Sequence, residues 1–300
     1  MGFLGRIFLT RSFIRAGIIA GLIFFSVPGW SESADQGSSA HQNASGDTDA
    51  SKSASQNEFA QRAAGSLARG VECISRLDPS PNGDAFVAVQ LRAIYPEPGL
   101  DRFIERSRRL YPEDCGAWYI TPDRPLVKLP DPMPVGLARW GWVMHTPHAE
   151  PKYLAKAVLR EYLLTENCSG YILTHQMMIF EIAKSRGMAL PPEILDRRAH
   201  LLGAIHEEQR VDQNFGDLFA ERAMVLLLYG SPTELEARHW IETIITAQRP
   251  DGSWKDDRVY SFDYQGDHGT GRNEIPHTCV LSAFATALYL LRFGGSSLSK

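Results

Sequence analysis

His175, Asp217, Glu221 and His277 are the residues whose types and placement could do chemistry, because each stands at or just inside the start of an apolar helical segment. These segments open with Thr174-His175, with Asp217 one turn before Glu221, and with Pro276-His277. If the helices are corresponding members of a repeat, their first turns meet at one mouth of a central cavity. Two acid–base groups on opposite sides of a bond are the minimum apparatus for proton-transfer catalysis, and His175, His277 and Asp217 are the candidate catalytic residues. A histidine in a first helical turn feels the positive end of the helix dipole, which favours its neutral form and suits a general base or a metal ligand. The same residues have plain structural readings, with Thr174 and Asp217 as N-caps and each histidine as a packing residue.

The loop from Lys255 to Ile275 leads into His277 and holds Asp256, Asp257, Asp263, Asp267, His268 and Glu274. Carboxylates and imidazoles together could bind Zn²⁺ or Ca²⁺ or act as an acid–base pair, although no pair has a recognised ligand spacing. Gly266, Gly269 and Gly271 equally fit a plain mobile loop.

Two helices flank this loop. Ser231, Pro232 and Glu234 read as the cap, first position and capping partner of the first helix, with Leu235, Trp240, Ile241, Ile244 and Ile245 at helical spacing as far as Gln248. Pro250-Asp251-Gly252 is a turn. The second helix is expected from Pro276 through Val280, Leu281, Phe284, Leu288 and Leu291, ending at Gly294.

Trp240, Gln248, Asp251, Gly252 and Trp254 resemble the Gln/Trp-rich repeat of squalene and terpenoid cyclases, which recurs in the β subunits of protein prenyltransferases. The resemblance is specific over roughly the last 60 residues. It implies an all-α fold, an α/α toroid of about five helical hairpins, in which the Gln bonds backbone groups at a helix end and the Trp packs on a neighbouring helix. His277-Thr278-Cys279 is similar to the segment in which the prenyltransferases carry a zinc-binding His. The resemblance therefore implies a Zn²⁺ ligand at His277, with His175 or with Asp263, Asp267 or His268 as further ligands. Departures limit the transfer. The Asp-x-Cys motif of the transferases has no counterpart, since the comparable stretch is Asp212-Gln213-Asn214-Phe215-Gly216-Asp217, and the Asp-x-Asp-Asp motif of the cyclases is absent. Neither activity is carried over.

Met1 to Ser33 reads as an export signal: Arg6, Arg11 and Arg15 precede an apolar run from Ala16 to Val27, and Ser31 and Ser33 suit cleavage before Ala34. No membrane span is expected after cleavage. Residues 34–57 are mostly Ser, Ala, Gln, Asn, Gly and Asp, with no large apolar residue, the composition of a flexible tether. Residues 58–295 are expected to form the toroid domain, and 296–300 a tail. The formal charge of −4 offers no basic surface for nucleic acid. Cys73, Cys115, Cys168 and Cys279 allow two disulfides in three pairings, or four buried thiols.

About ten helices and no strand pair are expected. The stretch from Tyr111 to Pro134, with its prolines, is a long loop that could border a site. The last three hairpins share a plan, an amphipathic outer helix followed by a more apolar inner helix ending at Gly187, Gly230 or Gly294. Trp118, Tyr119, Trp140, Trp142, His145 and His148 suit a sugar ring or an isoprenoid chain, or packing between helices. Two functions follow: an exported toroid binding a small-molecule, lipid or carbohydrate ligand or a partner in its cavity, or a lyase or hydrolase on a cell-envelope polysaccharide or lipid.

Overall fold

The computed structural model describes residues 46–80, 84–110, 163–166, 168–185, 190–255 and 275–294. They form eight helices and, among the described residues, no strand: α1 (Gly46–Arg76), α2 (Asp84–Ile94), α3 (Pro98–Leu110), α4 (Tyr171–Ser185), α5 (Pro192–Val211), α6 (Asp217–Tyr229), α7 (Glu234–Thr246) and α8 (Ile275–Phe293). None is long and apolar enough to cross a membrane. The export segment, the loop after Tyr111, the aromatics from Trp118 to His148, Cys115, and the loop acids and imidazole Asp263, Asp267 and His268 lie outside the described residues.

Helices α1 and α7 start differently from the sequence expectation. Helix α1 reaches back to Gly46, into the stretch read as a tether, and among its described side chains Phe59 is the first in the core. The turn before Phe59 is tied down by Gln56, whose amide donates to Glu234 at 2.7 Å. Helix α7 is capped by Thr233 rather than Ser231. The Thr233 hydroxyl accepts from the Glu236 N–H at 3.3 Å, and the Glu236 carboxylate accepts from the Thr233 N–H at 2.8 Å. Glu236, three residues after Thr233, closes the capping box that Glu234 was expected to close.

The helices divide by burial into two kinds. Helix α6 is buried from Asp217 to Leu227 without a break, and α8 from Thr278 to Leu290. Helix α5 buries only Ile194, Leu201, Ile205 and Gln209, and α7 only Ala237, Trp240, Ile241 and Ile244. A helix apolar around its circumference needs neighbours on every side, and an amphipathic one needs them on one. The contacts fit: α8 packs against α1, α2, α6 and α7, and α6 against α4, α5, α7 and α8. Helices α4, α6, α8 and α2 thus form a series in which each packs against the next.

The loop between α7 and α8 ties this array to the first helix. Gln248 uses its whole hydrogen-bonding capacity. Its carbonyl accepts from the Ser66 hydroxyl and from Arg69, each at 2.8 Å, and its amide donates to the Ser66 carbonyl at 2.9 Å and the Gly252 carbonyl at 3.1 Å. The fully buried Trp254 donates from its indole nitrogen to the Ile244 carbonyl at 2.7 Å. Gly252 has a φ of 86°, and a Cβ there would lie 2.4 Å from the Arg69 carbonyl oxygen. Gly70 of α1 has no side chain because the Trp254 ring fills the space.

Gly70→Ala is expected to lower stability in urea unfolding by about 2 kcal/mol, against the usual helical preference for Ala, because the new Cβ would lie 2.6 Å from the indole ring. Gly203→Ala, in α5 with nothing within 4 Å, is expected to raise stability by about 0.5 to 1 kcal/mol. Equal effects at the two sites would show that the Trp254 contact does not constrain α1.

Candidate functional site

Helices α4, α6 and α8 bring their first turns together around two buried carboxylates. Asp217 is not an N-cap. Gly216 holds the cap position with extended backbone, and its carbonyl accepts from the Ala220 N–H at 3.0 Å. Asp217 is therefore the first helical residue, and its side chain turns to neighbouring helices. It accepts from the Tyr171 hydroxyl at 2.7 Å, from the Thr278 hydroxyl at 2.8 Å, and from His277 Nδ1 at 3.0 and 3.1 Å.

Glu221, one turn further along α6, bonds Thr174 and lies 3.5 Å from His175 Nε2. Thr174 is not a cap either, since α4 begins at Tyr171 and the Thr174 hydroxyl donates back to the Tyr171 carbonyl at 3.1 Å. A hydroxyl has one hydrogen. The Thr174 hydroxyl therefore divides its one hydrogen between the Tyr171 carbonyl and the Glu221 carboxylate.

The scaffold behind these residues is ionic. Arg222, buried in α6, reaches the end of α5, where it donates to Gln209 at 3.1 Å and Glu208 at 3.0 Å and pairs with Asp212. Glu208 also accepts from the Gly170 N–H at 3.0 and 3.1 Å, just ahead of α4, where Gly170 has a φ of 59°. One buried guanidinium thus fixes the start of α4 relative to that of α6. At the other end of α6, Arg292 of α8 donates to the Leu227 and Gly230 carbonyls at 2.9 and 3.2 Å.

Electrostatics separate the two carboxylates. Burial would push Asp217 up, but the His277 charge and the three hydrogen bonds hold it below its ordinary value. Burial raises Glu221, and although His175, His277 and Thr174 oppose this, it stays above its ordinary value. Burial alone would lower His277, but Asp217, with smaller contributions from Asp84 and Glu221, raises it to about 10. The expectation of a neutral His277 is therefore corrected: a helix dipole acts as a partial charge, whereas Asp217 is a full charge in direct contact.

Of the sequence candidates, His175, Asp217 and His277 come together, and Glu221 joins them. The side chain of His175 is 30 % exposed and that of His277 13 %, so the histidines are the more accessible members. Among the described residues no group of three His, Cys, Asp or Glu side chains could hold a metal ion. Sequence reasoning gave no role to Tyr171, Thr278 and Asp84. Tyr171 precedes His175 by one helical turn, Thr278 adjoins His277, and buried Asp84 stands in the first turn of α2, the same place in its helix as the other site residues in theirs.

The Asp217–His277 pair should appear in the pH dependence of stability. His277 is raised from 6.5 to about 10, so its contribution is complete below pH 6.5 and is lost as pH rises toward 10. Asp217 is lowered from 3.8, so its contribution is present above that pH and fades as acid protonates the folded state. Unfolding free energy is expected to fall by a few kcal/mol between neutral pH and pH 10, at about 1.4 kcal/mol per pH unit, and His277→Gln should flatten that slope. Asp217→Asn should cost about 3 kcal/mol near neutral pH. An unchanged slope in His277→Gln would show that the pair is not charged.

No protein-family model, no curated protein and no solved structure matches this chain.

Proposed function

We propose that the chain is an acid–base enzyme, a lyase or hydrolase acting on a polysaccharide or lipid of the cell envelope. The observation that carries this reading is the meeting of His277 and His175 with two buried carboxylates whose proton affinities are shifted in opposite directions. A site with one carboxyl shifted down and the other shifted up has the separated proton affinities that acid–base chemistry needs. Asp217 positions His277 and keeps it charged, and that charge stabilises negative charge developing on the substrate. Glu221 supplies a proton and His175 accepts one. The Arg-flanked apolar run at the start of the chain supports export, and the series α4, α6, α8, α2 supports an α/α toroid with these first turns at its mouth.

The test uses the full chain with peptidoglycan, acidic polysaccharides and glycolipid vesicles, following new reducing ends, new double bonds and released acyl chains. Glu221→Gln and His175→Ala are each expected to lower turnover about 100-fold or more, with helical content unchanged by circular dichroism. Turnover unaffected by either change overturns the assignment of the site. Saturable binding of one polymer without turnover would instead establish a non-catalytic protein that binds that polymer.

A further inference from the structure

Tyr171 is the first residue of α4, and the backbone before it is pinned. Gly170 has a φ of 59°, which suits a residue without a side chain, and a Cβ there would lie 3.3 Å from Leu218. Glu208 accepts from the Gly170 N–H with both carboxylate oxygens and is itself bonded by Arg222. The turn into α4 is thus tied to α5 and α6. From this fixed start Tyr171 meets the site in three ways. Its hydroxyl donates to Asp217 Oδ2 at 2.7 Å. Its ring lies beside that of His175, one helical turn on, with centroids 6.0 Å apart and planes tilted by 41°. Its carbonyl accepts from the Thr174 hydroxyl at 3.1 Å, and Thr174 also bonds Glu221.

We propose that Tyr171 is a positioning residue that aligns the two histidines with each other, its hydroxyl holding Asp217 and so the His277 imidazole, and its ring supporting His175. The inference rests on the acid–base reading of the site. Thr278 also donates to Asp217, at 2.8 Å, but it stands on α8 beside His277, whereas Tyr171 stands on the helix of His175. Tyr171 bonds Oδ2 and Thr278 bonds Oδ1, so the carboxylate is held from two helices. His277 Nδ1 can then reach both oxygens, at 3.0 and 3.1 Å.

Removing the Tyr171 hydroxyl takes a donor from Oδ2 while Asp217 stays buried. Burial then weighs more heavily against the anion, since the Tyr171 bond is one of the contacts that hold Asp217 below its ordinary value. Among the charged groups nearby, His277 bears directly on Asp217, Glu221 lies one turn along α6, and Asp84 of α2 acts on His277. None of these is altered by a change at Tyr171 that keeps the ring.

Tyr171→Phe removes the hydroxyl and keeps the ring, and Tyr171→Leu removes both. On the full chain, the Asp217 carboxyl is followed by carbon NMR as pH is lowered. The accessibility of His175 is followed by its rate of modification with diethyl pyrocarbonate, mapped by peptide mass spectrometry. Tyr171→Phe is expected to raise the Asp217 midpoint by roughly one pH unit and to leave His175 labelling unchanged. Tyr171→Leu should raise the midpoint as well and label His175 several times faster. In turnover, Tyr171→Phe should lower kcat about tenfold with KM unchanged, because the hydroxyl bonds Asp217 and not the substrate. An Asp217 midpoint or a kcat that does not move in Tyr171→Phe, or His175 labelling equally slow in Tyr171→Leu, overturns the proposal. Tyr171→Phe differs from the unaltered chain by one oxygen and decides the matter even if Tyr171→Leu fails to fold. NMR and labelling need no turnover, so inactivity on every polymer counts against the acid–base reading and leaves these two measurements to decide the role of Tyr171.

Discussion

The contact between Trp254 and Gly70 is the constraint on which the rest of the structure depends. The indole lies where a side chain on α1 would be, and it can stay there because its N–H finds the Ile244 carbonyl and so carries no unpaired donor into the core. Gln248 adds polar bonds around the same seam, all of them satisfied, so the cost of burying an amide is met. With α1 held in this way, Phe59 can pack edge-on against Tyr289, their ring centroids 5.3 Å apart. Helix α8 gains a neighbour on the side that would otherwise face water. An apolar helix of this kind is stable only when enclosed, so the turn that follows α7 decides whether α8 is properly housed.

That housing has a consequence at the start of α8. His277 and Thr278 are in its first turn, and their bonds to Asp217 need α8 and α6 in fixed register. Arg222 does for α4 and α6 what Trp254 does for α1 and α8, by a different means. A buried guanidinium satisfied by Gln209, Glu208 and Asp212 is costly to disturb, because removing any partner leaves charge or donors unpaired away from water. The site is thus braced from two sides, by packing on one and by ion pairing on the other.

The sequence made the helical class readable through the spacing of apolar residues in the segments that became α5 to α8. It also marked the Gln248–Trp254 turn, because Pro, Asp and Gly leave the chain few conformations there. His175, Asp217, Glu221 and His277 could be named as candidates because each follows a helix-start signal. Their roles were not readable. Asp217 and Thr174 have the residue types of N-caps, and only the placement of the neighbouring helices shows that their side chains bond across to other chain segments instead. Nothing in the sequence distinguishes a His277 governed by its own helix dipole from one governed by a carboxylate sixty residues earlier. Tyr171 and Asp84 were missed for a similar reason, since their contributions depend on which helix start lies beside which.

The opposite shifts of the two carboxyls follow from where each lies on α6. Asp217 occupies the first helical position, where unpaired backbone N–H groups and the positive dipole end favour an anion, and three side-chain donors add to that preference. Glu221 lies a full turn deeper, beyond most of the dipole's reach, with Thr174 as its close bonding partner and the Asp217 charge working against its ionisation. Asp84, in the first turn of α2, repeats the situation of Asp217, and both negative charges bear on His277. Helix starts that converge in this way would otherwise concentrate positive potential. Aspartates placed in the first turns offset it and leave the imidazolium as the stable form, so the protonation pattern of the site is a property of the fold as much as of the residues that display it.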